Sequence, residues 1–416
     1  MSHRYRLYPA PGQVAVLERH CGDARFVWNL ALEQTNLYRP HRGPTPNHAE
    51  RNRQLAEARR DSWLGEGSSS VQQVALRDFD QALRNWWGGS HRRPTWRVKG
   101  INESFCVRDV VVTKLNRRWG SVNVPKLGAV KFRLSRRLPD KYGMARVALD
   151  KAGRWHVSFT AAPLAKERVA TGAEVGVDRG VATTLATSDG QMLRIPTSPK
   201  LVDKTKRLQQ QLARQHKGSN RRAQTKLQLA QTHARIADRR KDWVEKVTTR
   251  LVDEYDLVVL ENLKVKNMVK SPKAKPNLEN PGHFLPNGAA SKAGLSRSIH
   301  AACWTLFQQR LDDKAQQSGV RVLLVSPAFT SQQCHECGHT AKENRESQAI
   351  FLCVRCGHQA HADINAARNI LARGTSSRHP QDVGTCASSN TGVGTRTSPP
   401  AIRRRTNARI SEMKVA

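Results

Sequence analysis

The sequence predicts a multidomain α+β protein. A small β-barrel interrupted by a helical insertion comes first, then an α/β domain carrying an inserted four-cysteine unit. Three observations lead there. Hydrophobic spacing changes from a helical to a strand-like period near residue 90. Two copies of Cys-x-x-Cys-Gly-His stand at 334–339 and 353–358. Lys and Arg number 70 against 34 Asp and Glu, a formal charge of +36 over 416 residues. Such a chain repels itself unless a polyanion neutralises it, which argues against an ordinary metabolic enzyme and for a nucleic-acid partner.

The elements follow in order. Arg4 to Tyr8 alternates as an opening strand, and Gln13 to Tyr38 has helical spacing with Gly22-Asp23 as a possible break. Pro40 to Asn47 reads as a loop. Helical patterns resume at Asn52 to Trp63 and at Ser70 to Trp87, the latter led by a Ser69/Ser70 cap and closed by Gly88-Gly89-Ser90. Short β-type runs cover Ser104 to Thr113, Ser121 to Val124, Gly128 to Arg133, Met144 to Leu149 and Trp155 to Thr160. They suggest a barrel completed by the N-terminal strand.

Strands at Glu174 to Asp178 and Val181 to Thr187 precede a Ser188-Asp189-Gly190 turn into a third. Lys200 to Glu254 reads as two basic helices joined near Lys217-Gly218-Ser219-Asn220, and Val258 to Leu260 as a buried strand ending at Glu261. Met268 to Leu295, rich in Pro, Gly, Asn and Lys, is expected to be a long loop. Ser296 to Ser318 is an amphipathic helix, Val320 to Val325 a second buried strand and Asp363 to Leu371 the last helix. From Gly374 onward the Ser, Thr, Gly, Pro and Arg composition predicts a disordered basic tail.

The strongest chemical signal is the cysteine set. Cys334, Cys337, Cys353 and Cys356 form two pairs with fifteen residues between them, the spacing of a ribbon that closes four thiolates around one ion. A filled tetrahedron leaves no open position, so the site is structural, and His335, His339 and His358 read as knuckle residues. Three carboxylates stand out by context: Asp178 and Glu261 end buried strands, and Asp363 opens the last helix. Taken singly they read as a turn residue, a solvated strand end and an N-cap. Yet a three-stranded meander, helices, a parallel strand, a helix and another strand is the order of a ribonuclease-H-like fold. There the three acids converge on one end of the sheet and need divalent metal to offset their repulsion.

Basic residues are concentrated between Arg214 and Arg250, eleven against three acidic ones. Lys217, Arg221, Arg222, Arg239, Arg240 and Lys241 are the candidate nucleic-acid contacts there. Trp28, Trp63, Trp86, Trp87 and Trp96 fall in the first hundred residues, with core packing expected for most and base stacking for one or two. No run approaches the ~18 apolar residues of a spanning helix, and Met1 to Arg6 lacks a signal peptide's apolar core. A cytoplasmic protein without a membrane partner is expected.

Four motifs occur in order: Gly176-Val177-Asp178-Arg179-Gly180, Val259-Leu260-Glu261-Asn262-Leu263, the double Cys-x-x-Cys-Gly, and Asp363-Ile364-Asn365-Ala366-Ala367-Arg368-Asn369-Ile370. Together they resemble the TnpB proteins of bacterial insertion sequences and the compact type V CRISPR effectors similar to them. Lys217 to Arg221, Arg239 to Asp242 and Thr330 to Cys334 add to the likeness, which covers residues 170 to 373, and Arg6-Leu7-Tyr8-Pro9 fits as well.

The resemblance implies a RuvC nuclease domain (170–329 and 359–373) with the zinc ribbon (330–358) inserted before its last acid. It also implies a wedge-like barrel (1–20 and 91–169) interrupted by a helical recognition domain (21–90), with the tail at 374–416. Asp178, Glu261 and Asp363 would be the catalytic acids holding two Mg²⁺ ions, and Cys334, Cys337, Cys353 and Cys356 the ligands of a structural Zn²⁺. Many relatives carry a second aspartate where His361 stands. The implied activity is RNA-guided cleavage of double-stranded DNA beside a short flanking motif, transposon-associated or CRISPR-derived, in a bacterial cytoplasm and held at the nucleoid by DNA. The partners would be a guide RNA and target DNA, with oligomeric state left open. A non-cleaving guide-directed binder and a transposase are the alternatives; the intact acid set weighs against the first, and the ribbon before Asp363 against the second.

Overall fold

A computed structural model describes residues 2–38, 41, 45–101, 103–162, 165–277, 279–280 and 282–376. In the N-terminal part, β1 (Ser2–Tyr8) leads into α1 (Pro11–Asn36), α2 (His48–Ala58) and α3 (Ser69–Trp87). Six strands follow: β2 (Ser104–Val107), β3 (Val112–Lys114), β4 (Trp119–Val124), β5 (Gly128–Arg133), β6 (Ala145–Leu149) and β7 (Trp155–Thr160). They form one antiparallel ladder, β2-β6-β7-β1-β5-β4-β3, in which β1 pairs first with β7 and then with β5. The N-terminal strand thus completes the sheet across the helical insertion, as its alternation predicts. The two ends of the ladder, β2 and β3, are not paired with each other among the described residues.

Several local expectations change. Helix α1 runs unbroken through Gly22-Asp23, because Asp23 is buried and accepts a hydrogen bond from Gln72 Nε2 (3.1 Å) instead of capping a break. Helix α1 also passes through the 20/21 boundary, and one apolar core joins α1, α2 and α3 to the sheet, from Leu17, Val27 and Phe79 to Phe132, Val157 and Phe159. Helix α2 starts earlier than its pattern suggests, capped by Asn47, and the cap of α3 is Ser68. Trp28 and Trp86 pack against the core, but Trp63, Trp87 and Trp96 are half exposed or more, against the expectation of core packing. The two packed tryptophans carry arginines on their outer faces: Arg97 lies over Trp28 at 3.8 Å and Arg93 over Trp86 at 5.4 Å. Trp63 meets Phe26 edge-on, and Trp87 lies against Trp86.

The second part opens with β8 (Glu174–Asp178), β9 (Leu185–Thr187) and β10 (Met192–Leu193), then α4 (Pro199–Arg214), α5 (Asn220–Glu254) and β11 (Leu257–Glu261). Helix α6 (Val265–Met268) precedes the expected loop, within which stand the hairpin β12 (Lys275–Pro276) and β13 (Phe284–Leu285) and the first half of α7 (Ala289–Ala302). Cys303, in the left-handed region at φ 55°, separates α7 from α8 (Trp304–Ser318), so the single predicted helix is two. Then come β14 (Arg321–Val325), β15 (Ile350–Leu352), β16 (Gln359–His361) and α9 (Ala362–Ser376). Helix α9 runs past the expected start of the tail, and the remainder of the tail lies outside the described residues.

The central sheet has the order β10-β9-β8-β11-β14, in which β8, β11 and β14 pair in parallel and β9, antiparallel to both β8 and β10, is the one reversed strand. This is the ribonuclease-H-like arrangement the element order predicts. Strand β11 is buried throughout, whereas β14 lies at the edge and is only partly covered, not fully buried as its apolar run suggests. The second half of α5 inserts Val244, Val247, Leu251 and Val252 into a core shared with Val175, Val177, Phe307 and Leu311. Burying each such side chain is worth ~1.5–3 kcal/mol. Its first half and α4 bury little more than Leu208, Thr225 and Thr232, leaving the basic hairpin in solvent.

Helix α9 approaches the sheet closely enough to exclude side chains. A Cβ at Gly176 would stand 2.1 Å from the Ala367 carbonyl oxygen, and one at Gly374 would stand 2.5 Å from Val259 Cγ2. Glycine at 176 therefore sets the distance between β8 and α9. Gly176→Ala is expected to cost about 1–3 kcal/mol by overpacking and to lower the melting temperature, whereas Gly12→Ala, with nothing within 4 Å in α1, is expected to be neutral or stabilising. Thermal melts of the two variants check this.

Candidate active site and metal centre

Strand β8 ends at Asp178, its parallel neighbour β11 ends at Glu261, and α9 places Asp363 in its first turn. The three line one cavity of about 270 Å³, with Arg179, Thr330, Ser331 and Arg345 among the other walls. The bland explanations fail one by one. Glu261 is 7% exposed, not a solvated strand end. Asp363 is not the cap of α9, since His361 Nδ1 accepts the Asp363 backbone N–H at 3.2 Å. Histidine there performs a capping aspartate's task as the tautomer protonated on Nε2.

Glu261 and Asp363 each meet a side chain from another segment. Thr330 Oγ1 donates to Glu261 Oε1 at 2.6 Å. Arg345, from the cysteine unit, approaches Asp363 Oδ1 at 3.6 Å. Arg179 is buried and ties the ends of β8 and β11 together, donating to the Glu261 backbone oxygen and to Gln308 Oε1. Asp178 shows the electrostatic cost of the arrangement. Its carboxyl is pushed up to about 7, first by burial and then by Glu261 and Asp363. Hard carboxylate oxygens converging on one cavity fit a Mg²⁺-type cation.

The cysteine unit is the second metal centre. Cys334 Sγ lies 3.7 Å from Cys356 Sγ and Cys337 Sγ lies 3.6 Å from Cys353 Sγ. All four sulfurs lie within 4.8 Å of one another, a set that can hold a metal ion. Sulfurs about 2.3 Å from a tetrahedral ion are about 3.8 Å apart, close to the spacings found. The two knuckles repeat one geometry: Gly338 and Gly357 donate to the Cys334 and Cys353 carbonyls from left-handed backbone at φ 72° and 71°. Burial raises the Cys353 thiol, but the backbone N–H groups of Cys356 and Arg355 outweigh it and bring it to about 6. His335, His339 and His358 lie outside the four-sulfur set.

Helix α9 joins the two centres. Buried Asn365 accepts from His335 N (3.0 Å) and donates to the Gln333 carbonyl (2.8 Å), and Asn369 donates to the Thr330 and Gln333 carbonyls (2.9 and 2.6 Å). Ala366 and Ala367 between them face the sheet without bulk. The Asp-x-Asn-Ala-Ala-x-Asn pattern is therefore an acid, two amide clamps and a flat contact. Of the candidate nucleic-acid residues, Lys217, Arg221, Arg239 and Lys241 are exposed on the hairpin and Arg240 is partly so, while Arg222 donates to the Leu212 and Gln215 carbonyls at the end of α4. Arg179, Thr330 and Arg345 escape sequence reasoning, though Arg179 sits inside a quoted motif.

Comparison with known proteins follows the same lines. Family models match at residues 156–272 ("Probable transposase"), 304–370 ("Cas12f1-like, TNB domain") and 1–43 ("Helix-turn-helix domain"). The last of these covers β1 and the single continuous α1. A putative RNA-guided DNA endonuclease, InsQ of Escherichia coli K12, is 34% identical over 89% of this chain and 91% of its own. Another, from Streptomyces pristinaespiralis, is 30% identical over 89% and 88%. A cryo-EM structure of a Cas12f1–sgRNA–target DNA complex superposes with a TM-score of 0.49 at 12% identity, covering 86% of this chain and 82% of that one. No helix among the described residues is long and apolar enough to cross a membrane.

The raised Asp178 carboxyl has a defined consequence. Folded, it keeps its proton to about pH 7; unfolded, it releases it near 3.8. Ionisation thus costs the metal-free fold nothing below the lower value and the full amount above the higher one, at most a few kcal/mol. Denaturant melts without added Mg²⁺ are expected to show Asp178→Asn gaining stability over wild type between about pH 5 and about pH 8.

Proposed function

This chain belongs to the TnpB family of RNA-guided DNA endonucleases, and we propose that it binds a guide RNA and hydrolyses complementary double-stranded DNA at the Asp178–Glu261–Asp363 cavity. The observation that carries this reading is the convergence of the three acids on one cavity, with the Asp178 carboxyl pushed up first by burial and then by the other two. No structural role asks for three carboxylates at mutual cost.

Two Mg²⁺ ions held by Asp178, Glu261 and Asp363 would supply an activated water and stabilise the leaving 3′ oxygen. The chain's own residues do the rest. Thr330 fixes the Glu261 carboxylate, Arg179 locks the two strand ends, and Arg345 presents a guanidinium to the cavity where a phosphate would enter. The four cysteines would hold a structural Zn²⁺ that fixes the base of the loop bearing Thr330 and Arg345. Guide and target backbones would lie against the basic α4–α5 hairpin through Lys217, Arg221, Arg239, Arg240 and Lys241, with the sheet of residues 1–20 and 91–169 as wedge and the helices of residues 21–90 as recognition lobe. Its setting would be a bacterial cytoplasm, at the nucleoid, where the target DNA lies.

Three measurements test the reading. With Mg²⁺ and the copurified RNA, alanine at Asp178, Glu261 or Asp363 is expected to reduce DNA cleavage on the order of a thousandfold or more while RNA binding persists; full cutting by the Asp178 variant would refute the assignment. Freshly purified protein is expected to carry about one zinc per chain by elemental analysis, and Cys337→Ser to lose it together with order in residues 330–360. A specific RNA is expected to copurify and to be released steeply as salt rises.

A further inference from the structure

Four non-glycine residues among those described have positive φ: Asp109, Lys126, Cys303 and Phe329. Phe329 is the aromatic one, at φ 62° with 61% of its surface exposed. A bulky side chain in the left-handed region is unfavourable, and an exposed ring recovers little of that cost by burial. Glycine or asparagine would make the same turn more cheaply.

The turn is nevertheless tightly determined. The Phe329 carbonyl accepts the N–H groups of Gln332 and Gln333, both at 3.0 Å. Arg373 Nη1 donates to the Ser326 and Ala328 carbonyls at 3.1 and 2.6 Å. Thr330, next in sequence, is held by Asn369 through its carbonyl and by Glu261 through its hydroxyl. Pro327, Thr330 and Ser331 on either side all line the acid cavity, whose walls include no aromatic ring. The fold therefore holds one strained, solvent-exposed ring on the segment, residues 327–331, that lines the cavity. Strain that the surroundings over-determine is a feature of functional positions.

We propose that Phe329 is a stacking platform for an unpaired base of the DNA strand whose phosphodiester enters the Asp178–Glu261–Asp363 cavity. The inference rests on the nuclease reading of that cavity. Stacking uses the π-face common to all bases and so positions a strand without reading its sequence, which suits an enzyme whose sequence selection resides in a guide. The ring also supplies an aromatic face, which the walls of the cavity lack.

The test uses the full-length protein with its copurified RNA and a short single-stranded DNA carrying 2-aminopurine, whose fluorescence is quenched by stacking. Phe329→Ala and Phe329→Gly are expected to lose a distinct part of the quench and to raise the KM for single-strand cleavage on the order of tenfold. Phe329→Tyr and Phe329→Trp are expected to restore both. Phe329→Gly relieves the left-handed strain, so it is expected to melt no lower than wild type, up to about 3 °C higher; lost stacking in that variant cannot then be ascribed to unfolding. Unchanged quench and KM in the alanine and glycine variants would overturn the proposal. Asp178→Asn serves as the separating control: it is expected to quench normally and not cut. If it cuts, the nuclease reading of the cavity fails, while the quench still decides whether Phe329 stacks.

Discussion

The backbone-to-backbone approach of α9 to β8 is the constraint on which the nuclease half depends. It is possible only because residue 176 has no side chain and residues 366 and 367 have almost none. Without it Asp363 could not join Asp178 and Glu261, which already lie side by side on parallel strands. The same helix then clamps the foot of the cysteine unit through Asn365 and Asn369. One close contact thus sets the position of the third acid and of the loop bearing Thr330. The repulsion stored at Asp178 is sustained because none of its neighbours can move away.

One helix joins the basic hairpin to the acid cavity. Helix α5 displays Arg221 near its start and Arg239 to Lys241 just past its middle, and from Val244 to Val252 it is embedded in the core beneath the acids. Arg154, at the foot of the N-terminal sheet, bridges Asp150 and Asp238 of α5, so that sheet is tied to the same helix (2.7 and 2.6 Å). Arg168 and Lys166 make further ion pairs, to Asp256 and Asp253. A load on the hairpin is therefore transmitted to the core by a continuous helix and not across a loop.

Much of this was legible in the sequence, for identifiable reasons. The cysteine pairs carry their chemistry in their spacing, and short strands such as β5 and β7 were bounded by Gly, Asn and Pro. The three acids could be ranked because each followed or preceded a recognisable apolar run. What escaped depends on tertiary contact. Asp23 looks like a helix breaker until Gln72 supplies its partner. The run at β14 looks like a buried strand because composition does not reveal which strand lies at a sheet edge. The exposed Trp63, Trp87 and Trp96 looked like core because hydrophobicity alone does not reveal which face of an element the fold leaves uncovered. Arg345 is one arginine among many, and only the folded ribbon brings it to Asp363.

The position of Asp363 on the last described helix also sets an order of events during synthesis. The basic hairpin and the N-terminal sheet leave the ribosome first and can fold while the polypeptide is still growing, since domains fold as they emerge. The acid cluster stays open until the ribbon has closed and α9 has docked. Vectorial translation thus completes the acid cluster last, a delay written into chain order alone.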